Sequence, residues 1–99
     1  MANVTYTIRE KQQVDEDRER ALDPVGTVFR QVMLREFNND LVVCNDLDEY
    51  ALDVYDIGGS AVVVSGEEVN IISRGEDSVA AIKNTLKERL RYFTLEERD

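Results

Sequence analysis

Val4, Tyr6 and Ile8 alternate with Thr5, Thr7 and Arg9, the period-2 spacing that puts apolar side chains on one face of a strand. A strand is predicted from about Val4 to Glu10. The pattern then stops: from Lys11 to Arg20, charges of both signs surround one aliphatic residue, Val14, and residues 11–22 read as a flexible charged connection. Asp23-Pro24 is a helix-start signal, because Asp accepts from first-turn amides and Pro loses nothing at the first helical position. Val25, Val28, Phe29, Val32, Met33 and Phe37 follow at helical spacing, predicting a helix over 24–37 that ends at Asn38-Asn39. Frequent β-branched residues make a strand from Thr27 to Leu34 the rival, but the proline and the spacing favour the helix.

Strands and tight turns come next. Leu41 to Asn45 is a short apolar run, and Glu49 to Ile57 alternates, with Tyr50, Leu52 and Val54 assigned to the core and Glu49, Ala51, Asp53, Tyr55 and Ile57 to the other face. Gly58-Gly59-Ser60 and Ser65-Gly66 are turns around the apolar run Ala61 to Val64, and Val69 to Ser73 is again strand-like. Val79, Ile82, Leu86, Leu90 and Phe93 form an apolar stripe that predicts a C-terminal helix to about Tyr92, with a cap offered by Arg74 to Ser78. The expected fold is α+β, one domain over 1–99: an antiparallel sheet of three to five strands with two amphipathic helices on one face, in the order β-α-β-β-β(-β)-α. In order alone this resembles the double-stranded-RNA-binding domain and small phage-encoded inhibitors; no motif accompanies the order and no family is assigned from it.

Charge changes the picture more than composition does. The net charge is −9, and the segment Asn38 to Asp77 holds ten acidic residues against Arg74 alone, so it carries the whole excess. A sheet built from this segment attracts basic partners and repels nucleic acid. Solubility and adaptation to high salt also account for acidity, the latter suggested by nine Arg against three Lys. No apolar run approaches the roughly 20 residues of a membrane span, and no secretory signal is visible at the N-terminus, so a cytoplasmic protein is expected. Cys44, the one cysteine, excludes an intramolecular disulfide and reads as a small buried strand residue.

The absence of histidine removes the commonest general base and metal ligand, together with every Ser-His-Asp or Cys-His arrangement. Gly58-Gly59 and Gly66 lie between strands, without a following Gly-Lys-Ser or Gly-Lys-Thr, so no phosphate loop is expected. Asp46, Asp48, Glu49, Asp53 and Asp56 offer oxygen ligands, but a calcium loop starting at Asp46 would need Gly at Ala51 and Glu at Ile57. Neither a cofactor nor a metal is expected, and the chain reads as non-enzymatic.

Two surfaces remain. Glu49, Asp53, Tyr55 and Asp56 combine carboxylates with an aromatic residue, a composition that suits protein binding. Lys83, Lys87 and Arg91 follow at i, i+4 with Arg89 nearby, a basic ridge on the C-terminal helix. The leading expectation is a small acidic interaction domain binding a basic protein surface, an inhibitor or nucleic-acid mimic of the viral counter-defence or toxin-neutralising kind. The alternatives are a nucleic-acid-binding regulator using the basic ridge and a halophilic small protein; a homodimer is compatible with either.

Overall fold

The computed structural model describes residues 1–10, 24–45 and 51–98. The elements are β1 (Ala2–Glu10), α1 (Val25–Phe37), a 3-10 turn (Asn38–Asp40), β2 (Leu41–Asn45), β3 (Leu52–Ile57), β4 (Ser60–Ser65), β5 (Glu68–Ser73), α2 (Glu76–Arg89) and β6 (Phe93–Glu97). The predicted connection 11–22, the cap Asp23 and the start of the predicted third strand, including Glu49, lie outside the described residues.

The strands form one six-stranded sheet in the order β2-β3-β4-β5-β1-β6, and every neighbouring pair is antiparallel. The fold is thus α+β as expected, with six strands in place of three to five and a strand after the second helix. Two-residue turns set the register. Ile57 pairs with Ser60 across Gly58 and Gly59, whose φ angles of +60° and +81° are the mirror-image turn geometry that matches strand twist and that side chains oppose. Ser65 pairs with Glu68 across a turn that opens on Gly66, φ +58°.

Register carries one face through the sheet. Tyr55 pairs with Val62, Val62 with Ile71 and Ile71 with Val4, while Val64 pairs with Val69 and Val69 with Tyr6. Val28, Phe29, Met33 and Phe37 of α1 and Val79, Ile82 and Leu86 of α2 join these residues in one hydrophobic cluster. The helices therefore cover a single face of the sheet, each burying the stripe that its spacing predicts. Ser60 and Ser73, also buried, share a hydrogen bond of 2.7 Å between their hydroxyls, which offsets the cost of their burial.

Strand β6 corrects the C-terminal reading. Phe93 continues the spacing of Val79, Ile82, Leu86 and Leu90, so one periodic stripe spans the break between helix and strand. The last helical bond is Leu90 N–H to the Leu86 carbonyl, 2.8 Å, after which Phe93 N–H reaches the Leu90 carbonyl at 3.1 Å and the chain turns back along β1. Phe93 still meets the core, its ring edge-on to Phe29 with centroids 5.1 Å apart. Acidic Glu76 and Asp77 at the start of α2 and Lys87 and Arg89 at its end match the helix dipole.

Helix α1 lies on the β4–β5 turn so closely that a β-carbon on Gly26 would stand 2.1 Å from the Gly66 carbonyl oxygen. Backbone cannot yield as a side chain does. Gly26→Ala is expected to destabilise the fold by about 1–3 kcal/mol, the range for overpacking, whereas Gly75→Ala, with nothing within 4 Å, loses only the preference for Gly over Ala as the N-cap of α2, less than about 1 kcal/mol. Equal midpoints for both variants in urea unfolding would contradict this packing.

Candidate functional site

The face assignment of β3 is reversed relative to the sequence reading. Asp53, Tyr55 and Ile57 point under the helices, and Leu52, Val54 and Asp56 lie on the opposite face. Arg30 of α1 explains how a carboxylate is accepted inside: its Nε donates to Asp53 Oδ2 at 3.0 Å and an Nη to Oδ1 at 2.9 Å. This is a two-pronged charge-assisted contact, with the Asp53 side chain 3% exposed and that of Arg30 20%. Asp53 and Tyr55 therefore do not belong to a surface patch. Asp56 remains exposed, and Glu49 lies outside the described residues.

Tyr55 is fully buried, and its hydroxyl has no hydrogen-bond partner among the described residues. Burial pushes this hydroxyl up to about 12; the charges of Asp53 and Cys44 add to the rise and Arg30 opposes it. Cys44, paired with Asp53 across the ladder, is exposed. That corrects the expectation of a buried thiol, because β2 is the sheet edge and its central residues Val42, Val43 and Cys44 are uncovered.

The face away from the helices is where the sheet meets solvent, and register sorts it into rows. Val43, Val54, Val63, Asn70 and Thr5 are successive partners across five strands; Asp56, Ala61, Ile72 and Asn3 form the next row. Aliphatic side chains gather on β2 to β4, with Leu52 and Ile72 beside them. The β1 side is polar: Asn70 Nδ2 donates to Thr5 Oγ1 at 2.9 Å, and the ion pairs Arg9–Glu96 and Arg98–Glu68 lie at the β6 margin. Val43 is 45% and Val42 64% exposed, whereas Leu52, Val54, Ala61, Val63 and Ile72 are half-buried by their neighbours. Exposed carboxylates at Asp56, Glu67, Glu76 and Asp77 belong to the same acidic segment.

The predicted basic ridge separates into parts. Helix α2 stops at Arg89 and Arg91 lies in the following turn. Arg89 ties the helices together, donating through Nε to Glu36 Oε1 at 3.1 Å and through an Nη to the Glu36 carbonyl at 2.7 Å, with its guanidinium 4.7 Å from the Phe37 ring centroid. Lys83 and Lys87 stay together on α2, and Lys83 Nζ sits 5.0 Å from the Tyr6 ring centroid.

No group of three or more His, Cys, Asp or Glu side chains with metal-binding geometry occurs among the described residues. No described helix is long and apolar enough to cross a membrane. Comparison with protein-family models, curated proteins and solved structures finds no match to the chain.

Two outcomes test the β3 interior. Arg30→Met leaves a buried carboxylate without its charge partner and should cost about 3–5 kcal/mol, while Arg30→Met with Asp53→Leu should recover most of that loss; a double variant as unstable as the single one would contradict the pairing. The second outcome concerns alkali. Tyr55 is neutral in both folded and unfolded chains below about pH 10, but between pH 10 and 12 the unfolded chain loses the proton first, so stability falls across that window. Tyr55→Phe should weaken this alkaline loss without lowering stability at pH 7, since the hydroxyl makes no hydrogen bond among the described residues. Urea midpoints at pH 7, 10 and 11.5 check both; an unchanged alkaline slope in the Phe variant would contradict the assignment.

Proposed function

We propose that the protein is a non-enzymatic interaction domain that binds a basic protein surface through the uncovered face of its sheet. The observation that carries this reading is the aliphatic row Val43, Val54 and Val63, flanked by Leu52, Ala61 and Ile72, on a face that neither described helix covers. Water contact with such a row is unfavourable by roughly 25 cal/mol per Å² of apolar surface, so covering it gives a partner a driving force. The carboxylates of the surrounding segment supply the sign of that partner: an apolar patch bordered by Lys or Arg gains steering and avoids like-charge contact. Compared with the patch first read from the sequence, Asp56 stays in the contact, and Leu52, Val54 and Val63 replace Asp53 and Tyr55. Inhibition of a nucleic-acid-binding protein is one role open to such a domain, consistent with its charge.

A designed peptide of alternating leucine and lysine serves as the probe. Its amide-resonance titration should perturb residues 43, 52, 54, 56, 61, 63 and 72, and affinity should fall with added salt. Val63→Lys should weaken binding about tenfold or more, equivalent to about 1.4 kcal/mol, without unfolding the chain. Perturbations spread evenly over all exposed carboxylates, or an affinity insensitive to Val63→Lys, would overturn the reading.

A further inference from the structure

Between α2 and β6 lies a partly open cavity of about 290 Å³ walled by Phe29, Leu86, Leu90, Phe93 and Leu95. It lies on the helix-covered side of the sheet, apart from the open face. The polar residues that line it are Lys83, Lys87 and Thr94, and no carboxylate among the described residues does, in a chain of 21 acidic and 12 basic residues. The two lysines, i and i+4 on one helix face, are two of the three in the chain, and neither forms an ion pair among the described residues. Lys83 is held over the Tyr6 ring, a contact that fixes a cation without neutralising it. An apolar pocket bordered by two ammonium groups without an ion pair among the described residues is complementary to a molecule with one apolar end and one negative end. Its volume sits at the small end of ligand clefts, about 300–1,000 Å³, which limits the apolar part to a short tail.

We propose that this cavity binds a small amphipathic anion, an apolar-tailed carboxylate, with the tail between Leu86, Phe93 and Leu95 and the carboxylate at Lys83 and Lys87. Octanoate, below its micellar concentration, is the probe; octan-1-ol supplies the tail without the charge, and acetate the charge without the tail. Amide-resonance titrations should show octanoate perturbing residues 83–90 and 93–95, about tenfold tighter than octanol, with no saturable response to acetate. Lys83→Gln with Lys87→Gln should bring octanoate affinity down to that of octanol, with the unfolding midpoint lowered only by loss of the Lys83–Tyr6 contact. Val63→Lys on the open face should leave octanoate binding unchanged, so this site fails or holds separately from the protein-binding face. Equal affinity for octanoate and octanol in the unaltered protein, perturbations centred elsewhere, or no effect of the lysine substitutions would each overturn the proposal.

Discussion

The Arg30–Asp53 contact is the constraint on which the arrangement of β3 rests. A carboxylate under a helix is tolerable only where its charge is matched and its lone pairs are occupied, and Arg30 does both from the middle of α1. With Asp53 inside, period-2 geometry takes Tyr55 and Ile57 inside too and sends Leu52, Val54 and Asp56 to the opposite face. The exposed aliphatic row is thus the complement of a buried ion pair. Moving β3 by one residue would exchange the two sets and strand Arg30 against valine.

Packing follows from the same choice. Tyr55 fills space beside α1 at the expense of a hydroxyl unpartnered among the described residues, while the tight approach of Gly26 to the Gly66 carbonyl lets the helix lie flat on the β4–β5 turn. At the other end of the sheet, Phe29 and Phe93 join α1 to β6, and Arg89 clamps α2 to Glu36. One side of the molecule is consequently dense, with the lysine-bordered cavity opening between α2 and β6. The other side is sheet that neither described helix covers.

Much of the fold was legible in the sequence because each long element carries its own period. The stripe of α1, the alternation Val4, Tyr6, Ile8 and the glycine turns correspond closely to the observed α1, β1 and hairpins. The face of β3 was misread because both of its faces are partly apolar, so alternation alone is ambiguous there. A signal was present further along: Val69 and Ile71 flank polar Asn70, and two successive two-residue turns carry their inward face back through Val64 and Val62 to Tyr55 and Asp53. Strand β6 was hidden because Phe93 falls in phase with the stripe of α2, and spacing cannot report where hydrogen bonding changes. Arg30 gave no sign, since its partner is 23 residues away and only the fold brings them together. Nor could the cavity be read, because it depends on β6 returning beside α2.

The orientation of the sheet is most directly tested by thiol accessibility in single-cysteine variants on a Cys44→Ser background. The account predicts that cysteines replacing Val54 or Val63, half-buried on the open face, react with a small thiol reagent in the native protein, more slowly than in the unfolded chain, whereas one replacing Val62 reacts only on unfolding. Protection at 54 and 63 together with ready reaction at 62 would reverse the faces of the sheet, and with them the surface assigned to the partner.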